Sequence, residues 1–360
     1  MSSLALVMIA RDEARCIERC LRSAEGLVDE MLVLDTGSVD DTAAIARGCG
    51  ANVAHWYWRD DFAAARNAAL ELTSCDWRLV IDADEWVADG GTALATCRDA
   101  DTAFVGVLRV SSLIDGTTAG VQHAPSWLPR LLPRGVAYQG RVHEQPVSAL
   151  PRRRLELTLQ HDGYLPDAME RKRGRNRRLL QQALLDDPDD AYLHYQLGKD
   201  FEVHGDFVAA EPCFRLALAR VELQAGWRHD LLLRQLFTLK KLGRFEAGMA
   251  LAQQEMVHWA HSPDFFFTLG DLLLDWAAAR PAMAASLLPM IESSWLRALH
   301  IGENPTLQDT VSGRGSFLAA HNLAAMFEAL GDAAKARLWR ERSAAMRRVA
   351  DLGSKALLPA

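Results

Sequence analysis

Short apolar runs alternate with helical periodicity along the first half of the chain. Read in order, the pattern predicts strands over residues 4–9, 30–34 and 77–81 and helices over residues 14–24 and 41–49. Strand, helix, strand is the order of a mostly parallel, doubly wound sheet, in which ligands bind beyond the carboxyl ends of the strands. Asp35 and Asp82 each follow a predicted strand, so we expect both residues at that edge of the sheet.

From about residue 167 onward the pattern is helical, and part of it repeats. Counted from Ala191, positions 7, 8, 11, 15, 20, 24 and 27 hold Leu197, Gly198, Phe201, Gly205, Ala210, Phe214 and Ala217. This pattern is typical of the 34-residue tetratricopeptide repeat, a pair of antiparallel helices. Poorer copies begin near Leu236, Leu269 and Leu323. The sequence therefore predicts an α/β domain over residues 1–165, followed by an all-α, tetratricopeptide-like helical repeat domain over residues 166–360.

Composition narrows the classes of partner. The chain has 360 residues, of which 49% are apolar and 24% charged, and its net charge is -7. This charge gives no general attraction to nucleic acid, and no segment reaches the roughly 20 apolar residues that cross a bilayer. Six cysteines without a paired framework, and an N-terminus without a basic leader, predict a cytoplasmic protein. Peripheral attachment to a membrane and a homodimer formed through the repeats are both compatible with the sequence.

The candidate chemistry begins at Asp82-Ala83-Asp84-Glu85, directly after an apolar run. Alternate residues of an extended chain point to the same side, so Asp82 and Asp84 can face one cation. Paired carboxylates suit Mg²⁺ or Mn²⁺ carrying a substrate diphosphate, because these hard cations bind oxygen and keep positions for phosphate. The alternative is a solvated turn between a strand and a helix. The motif favours a nucleotide-dependent transferase.

Seven separated motifs occur in one order along the chain. They are Met8-Ile9-Ala10-Arg11-Asp12-Glu13, Val28-Asp29-Glu30, Leu34-Asp35-Thr36-Gly37-Ser38-Val39-Asp40-Asp41-Thr42, Asp61-Phe62-Ala63-Ala64-Ala65-Arg66-Asn67, Trp77 with Asp82-Ala83-Asp84-Glu85, Tyr138-Gln139-Gly140-Arg141-Val142-His143-Glu144, and His161-Asp162-Gly163-Tyr164 with Arg175-Asn176. Together they resemble the family 2 glycosyltransferases of the GT-A fold, in the bacterial branch that carries C-terminal tetratricopeptide repeats. The resemblance runs from Leu4 to about Ala217. It implies an enzyme that transfers a sugar from a nucleotide-sugar donor.

The resemblance also implies roles on the donor side of the site. Asp35 resembles the residue that reads the uracil edge, which implies a UDP-sugar, and Glu13 lies in the loop that borders the base. Asp82 resembles a contact to the ribose or the metal, Asp84 resembles the direct ligand of Mn²⁺ or Mg²⁺, and His161 resembles a further metal ligand. For His161 the alternative is a hydrogen-bonded histidine at a domain junction.

Two basic residues are further candidates for donor contacts. Arg66 lies on the second turn of a helix that starts near Asp61, where an ordinary surface arginine is the alternative. Lys172, or its neighbour Arg171, could reach the diphosphate from the basic segment that follows His161. The other arginines of that segment are expected on a solvated face or in pairs with acidic residues of the repeats.

The acceptor must lose a proton, which calls for a base on the opposite face of the sugar. Glu144 is the candidate base, because the resemblance places an acceptor-side carboxylate at this position. The alternative is an ion pair with Arg141 or Arg130 that only holds the loop. His143 either orients Glu144 or acts itself.

Two positions depart from the family pattern. Arg11 stands where Asn is usual, which bears on the nucleotide preference, and Asp162 beside His161 receives no role from the resemblance. We expect a metal-dependent glycosyltransferase with a protein, peptide or cell-envelope saccharide as acceptor, and the resemblance implies that it inverts the anomeric carbon. The alternative is a degenerate GT-A domain that serves as a protein-binding scaffold through its helical repeats.

Overall fold

The chain divides into two compact units, Met1–Ala183 and Leu184–Ala360. The computed structural model describes residues 2–99, 103–116, 120–162, 174–304, 307 and 310–356. The predicted domain boundary between residues 165 and 166 lies within the stretch 163–173, outside the described residues, and it stays a prediction.

An eight-stranded sheet lies at the centre of the first unit. The strands of this unit are, in chain order, β1 (Leu4–Ala10), β2 (Glu30–Asp35), β3 (Asn52–His55), β4 (Trp77–Val80), β5 (Glu85–Asp89), β6 (Val105–Gly116), β7 (Gly120–Pro133), β8 (Ala137–Gln139), β9 (Gln145–Val147) and β10 (Arg152–His161). The sheet has the order β3-β2-β1-β4-β7-β6-β10-β5, and β8 pairs with β9 in a separate ribbon. Strands β1 to β4 are parallel, and β6 is parallel to β10. The predicted α/β fold with a mostly parallel sheet is confirmed, and β7 and β5 are its antiparallel members.

Helices cover both faces of this sheet. The helices described in and at the end of the first unit are α1 (Ile17–Ser23), α2 (Thr42–Gly48), α3 (Phe62–Glu71), α4 (Ala93–Arg98) and α5 (Arg175–Asp186). Leu6 and Met8 of β1 pack with Leu21 of α1, whereas Val7 packs on the other side with Ala69 of α3. Because both faces are buried, β1 reads as a continuous apolar run.

The candidate site residues Asp35, Asp82 and His161 lie at the carboxyl-terminal edge of the sheet. Strands β1, β2, β4 and β10 run in one direction, so the segments that follow them meet at the same edge. Asp35 ends β2, Asp82 follows β4 by two residues, and His161 ends β10. The antiparallel strand β5 starts at this edge, where Glu85 pairs with His161.

Helix pairs make up the described part of the second unit. They are α6 (Ala191–Val203) with α7 (Phe207–Arg220), α8 (Arg228–Lys241) with α9 (Phe245–Glu255), α10 (Pro263–Ala279) with α11 (Ala284–Ile301), and α12 (Phe317–Ala329) with α13 (Ala333–Ala356). Gly205, Gly243 and Gly331 occupy turns within pairs with φ of 75°, 67° and 77°, a backbone region that favours glycine. The predicted helical repeat region is confirmed. In the described ranges, no helix combines the length and the apolar character needed to span a membrane.

Candidate active site

The acidic motif forms a tight turn between β4 and β5. The backbone N–H of Glu85 donates to the Asp82 carbonyl at 2.9 Å, and the Glu85 carboxylate accepts from the Asp82 N–H at 3.0 Å. Asp84 and Glu85 are buried, whereas the Asp82 side chain keeps 33% of its surface exposed. Asp82 can therefore contact a ligand, although the hydrogen bonds between Asp82 and Glu85 fix the backbone of the turn.

Arg66 connects Asp82 with Glu144. Its Nη2 donates to Asp82 Oδ1 at 2.7 Å, and its Nε donates to Glu144 Oε1. The interpretation of Arg66 as a surface residue is wrong, because only 7% of this residue is exposed. Arg66 is a buried cation that holds the carboxylate after β4 and the carboxylate before β9 in one cluster.

Arg130 of β7 is a second buried cation of this cluster. Its Nη2 donates to Asp82 Oδ2 at 2.9 Å and to Glu85 Oε1 at 2.6 Å. Desolvation by itself raises the pKa of Asp82, but the charges of Arg66 and Arg130 outweigh it and hold that pKa well below its usual range. Burial raises the pKa of Glu85 despite the opposing charge of Arg130, and the nearby charge of Asp82 adds to the rise. Asp82 is therefore the more acidic carboxyl of the two.

Helix α3 fixes the segment that contains Glu144. The side chain of Asn67 accepts from the Tyr138 N–H at 2.8 Å and donates to the Tyr138 carbonyl at 2.9 Å. The Phe62 N–H donates to the Arg141 carbonyl at 2.8 Å. Burial raises the pKa of Tyr138 to about 12, so its hydroxyl stays protonated beside Arg66. The motif at residues 61–67 therefore holds the motif at residues 138–144.

Glu144 itself is almost buried, with 9% of its side chain exposed. The sequence named Arg141 or Arg130 as its alternative partner, and the structure shows Arg66 as a partner of Glu144. His143 has a φ of 54°, a backbone conformation that residues other than glycine rarely adopt. The backbone therefore turns sharply directly before Glu144.

Asp84 and His161 form a second polar pair at the same edge. His161 Nε2 lies 3.4 Å from Asp84 Oδ2, and His161 Nδ1 lies 3.1 Å from the hydroxyl of Ser112 on β6. Neither side chain is more than 15% exposed. Among the described residues there is no group of three or more His, Cys, Asp or Glu side chains arranged to hold a metal ion. The structure thus brings Asp84 and His161 together, and it holds Asp82 in the neighbouring arginine cluster.

Asp35 lies at the end of β2, and its two carboxylate oxygens differ in their hydrogen bonds. Its Oδ1 accepts from the N–H groups of Gly37 and Ser38 at 2.8 and 2.9 Å. Burial alone would raise the pKa of Asp35, but these hydrogen bonds lower it. Within the described part of the chain, its buried Oδ2 has no hydrogen-bond partner. An ionised carboxylate with an unused buried oxygen is suited to accept a hydrogen bond from a ligand.

The loop after β1 is tied to the turn after β2. The Glu13 N–H donates to the Thr42 hydroxyl at 2.8 Å, and the Asp12 N–H donates to the Ser38 hydroxyl at 3.0 Å. Glu13 therefore lies beside the turn that presents Asp35. Lys172 lies outside the described residues.

Glu85 and Ser112 received no role from the sequence, and Arg130 was named only as an alternative ion-pair partner of Glu144. Arg130 is a lone charge between Leu128 and Leu131 in an apolar strand. A buried charge needs a partner of opposite charge. The isolated arginine in an apolar strand could therefore have identified Arg130 as a site residue from the sequence. Ser112 has no comparable signal, because a serine at that position in a strand is unremarkable without knowledge of the paired strand.

Comparisons with known proteins agree with this architecture. Residues 5–153 match the family described as Glycosyl transferase family 2. A TPR repeat-containing protein of Synechococcus elongatus is 34% identical over 313 residues, which cover 79% of this chain and 76% of that protein. The glycosyltransferase SunS of Bacillus subtilis is 28% identical over 206 residues, 54% of this chain and 48% of SunS.

One solved structure that matches does so with low likeness. A crystal structure of glucosyl-3-phosphoglycerate synthase from Mycobacterium tuberculosis, in complex with Mn²⁺, UDP and glucosyl-3-phosphoglycerate, matches with a TM-score of 0.26 and 24% identity. The match covers 31% of this chain and 44% of that one, and it is too low to bear on the site. The family match and the long relative are decisive: the chain belongs to the family 2 glycosyltransferases that carry C-terminal tetratricopeptide repeats.

Proposed function

We propose that this glycosyltransferase is metal-dependent and inverting, and that it takes its sugar from a UDP-sugar. The observation that carries the proposal is the pairing of Asp84 with His161 at the carboxyl-terminal edge of the sheet. A carboxylate and an imidazole held together in a partly buried position are suited to bind a divalent cation. Asp35, at the end of β2, and Asp82, just after β4, would line the same edge for the donor.

The pair fits a divalent ion in spacing and in chemistry. Adjacent ligands of an octahedral ion, each about 2.1 Å from the metal, lie roughly 3 Å apart, close to the 3.4 Å between His161 Nε2 and Asp84 Oδ2. If His161 Nδ1–H donates to Ser112, Nε2 carries the lone pair that a metal requires. Two protein ligands leave the remaining positions to phosphate oxygens and water. Bound there, Mn²⁺ or Mg²⁺ would stabilise the negative charge of the departing diphosphate.

The proposed contacts with the base and the ribose follow from where Asp35, Asp82 and Glu13 lie at the edge of the sheet. Asp35 offers a buried carboxylate oxygen that an N–H of the base can satisfy, which favours uracil as the base. Asp82, ionised and partly exposed, would accept from the ribose hydroxyls. Glu13 would border the base. Arg66 would hold Asp82 through their hydrogen bond, and Arg66 and Lys172 remain proposed donor contacts.

Glu144 is proposed as the base that deprotonates the acceptor. Arg66 fixes its carboxylate relative to Asp82, so one buried cation orients a donor-side and an acceptor-side group together. Direct attack by a deprotonated acceptor from the face opposite the leaving group inverts the anomeric carbon. His143, at its strained backbone position, would orient Glu144.

A protein or peptide acceptor is proposed first, and a cell-envelope saccharide second. Stacked helix pairs present an extended side-chain surface, which suits an extended peptide more than a small sugar. The helical unit would then bind the acceptor chain.

A panel of nucleotide sugars with and without Mn²⁺ tests this proposal. We expect nucleotide release from a UDP-sugar that stops with EDTA, and loss of release in Asp84→Ala with the circular dichroism spectrum unchanged. Asp89→Asn, an exposed acid at the end of β5, is the matched control and should keep full activity. Absence of nucleotide binding at millimolar concentration would contradict the proposal and support a protein-binding scaffold.

A further inference from the structure

We propose that Asp162 is a positioning residue that clamps the end of β10 onto helix α1 and thereby holds His161 against Asp84. This inference rests on the proposed function, in which Asp84 and His161 bind the divalent cation. Asp162 is itself no metal ligand in this account. It acts through the backbone that it shares with His161.

The carboxylate of Asp162 accepts three hydrogen bonds from two arginines. Its Oδ2 accepts from Arg15 Nη1 at 3.1 Å and from Arg19 Nη2 at 2.7 Å, and its Oδ1 accepts from Arg15 Nη2 at 3.2 Å. Only 6% of the Asp162 side chain is exposed, compared with 42% and 43% for the two arginines. A buried carboxylate held by a bidentate and a second guanidinium has little freedom to move.

The same carboxylate joins the elements that carry the metal pair. The Asp162 N–H donates to the Asp84 carbonyl at 3.3 Å. Arg19, which binds Asp162, also lies over the ring of Trp86 in β5 at 3.7 Å. Helix α1, the end of β10 and the start of β5 therefore meet at Asp162, one residue from His161 and in backbone contact with Asp84.

The clamp acts at the end of β10. His161 is the last residue of the strand, between Ser112 of β6 and Glu85 of β5. Residues at a strand end have fewer neighbouring hydrogen bonds to fix them than residues within a strand. A shift of about 1 Å at His161 would separate its Nε2 from Asp84, and the Asp162 ion pairs oppose that shift.

A role in stability alone predicts a different result from a role in positioning. Asp162→Asn keeps the shape of the side chain but removes its charge, so it weakens the bonds to both arginines. The matched control is Asp29→Asn, because Asp29 accepts from Arg98 Nη1 at 2.9 and 2.8 Å at the opposite edge of the same sheet. Both substitutions should lower the melting temperature. Only Asp162→Asn should weaken Mn²⁺ binding.

The measurement is Mn²⁺ affinity, determined by electron paramagnetic resonance in the presence of UDP on the full chain. We expect Asp162→Asn to bind Mn²⁺ about 10- to 100-fold more weakly, the range found for residues that orient metal ligands. In a His161→Ala background, Asp162→Asn should cause no further loss, because its effect passes through His161. If Asp162→Asn does not fold, Arg19→Gln tests the clamp from its exposed side and should weaken Mn²⁺ binding in the same direction.

The outcomes separate this inference from the proposed function. If Asp84→Ala binds Mn²⁺ like the unmodified protein, the proposed metal pair is wrong. If Asp84→Ala and His161→Ala both lose Mn²⁺ while Asp162→Asn keeps full affinity, the metal pair stands and the clamp is overturned. An equal further loss from Asp162→Asn in the His161→Ala background also overturns the clamp.

Discussion

Arg66 donates to Asp82 across 2.7 Å with a guanidinium that is itself almost fully buried. The same guanidinium binds Glu144, so two carboxylates depend on one cation. Burying a charge is tolerated only when it is paired. Removal of Arg66 should therefore affect both the fold and the chemistry.

Arg66→Met should lower the free energy of unfolding by about 3 to 5 kcal/mol, because it leaves a buried carboxylate without its partner. Arg66→Lys should retain part of the stability but lose activity, since one ammonium does not reproduce the two directed bonds. Urea unfolding measures the first effect and nucleotide release the second.

The control for Arg66 is Arg98→Met, which removes a less buried arginine whose Nη1 donates to both oxygens of the half-exposed Asp29 at the other edge of the sheet. That change should cost no more than about 1 kcal/mol and leave activity intact. A loss of under 1 kcal/mol for Arg66→Met would show that the cluster does not need its buried cation.

Glu144→Gln separates a base from a structural partner of Arg66. Glutamine can still accept from Arg66 but cannot take a proton, so transfer should fall about 10²- to 10⁴-fold while the dissociation constant for UDP stays the same. Calorimetry with UDP and a transfer assay give the two numbers. Equal losses in binding and transfer would assign Glu144 to the structure of the loop.

Asp271 of α10 should make the stability of the helical unit depend on pH. Burial raises the pKa of Asp271 from 3.8 to about 6, and the charges of Lys240 and Arg314 reduce this rise while that of Asp275 adds to it. Between these two values the folded state retains a proton that the unfolded state has lost. The free energy of unfolding therefore falls as the pH rises through this window.

Asp271→Asn should remove this pH dependence and stabilise the unit by about 2 kcal/mol at pH 8. Asparagine can still accept from Asn322, which donates to Asp271 at 3.0 Å. Urea unfolding followed by tryptophan fluorescence from pH 4 to 8 measures the slope. If the free energy of unfolding of the variant depends on pH as strongly as that of the unmodified protein, Asp271 does not cause the pH dependence.

Gly270 of α10 should tolerate no side chain. A Cβ at this position would lie 2.4 Å from Nε1 of Trp295, whose side chain is fully buried. Gly270→Ala should therefore cost about 1 to 3 kcal/mol of stability. Gly48→Ala is the control, because Gly48 ends α2 with no atom within 4 Å of the added Cβ, and the two melting temperatures give the comparison.

The sequence predicts the parts of this molecule that follow from local periodicity. Alternation and apolar runs place Asp35 and Asp82 at strand ends, because both depend only on where a strand stops. Gly205 and Gly243 mark the turns within the helix pairs for the same reason, since a positive φ selects the residue type directly.

Ion-pair partners that lie far apart in the sequence could not be predicted from local periodicity. Glu144 and Arg66 are 78 residues apart, and Asp162 and Arg15 are 147 apart, so no local pattern relates them. The spacing of Ala63, Arg66 and Leu70 does place Arg66 on the buried face of α3. A charged residue on a helix nevertheless reads as exposed until its partners are known.

Calorimetric titration with UDP, with and without Mn²⁺, is the sharpest test of the Asp84 and His161 metal pair. We expect tight binding only with Mn²⁺, loss of that metal-dependent gain in Asp84→Ala, and its retention in Asp89→Asn. UDP binding that is equally strong without metal, or unchanged in Asp84→Ala, would contradict a role for the Asp84 and His161 pair in holding the donor's cation.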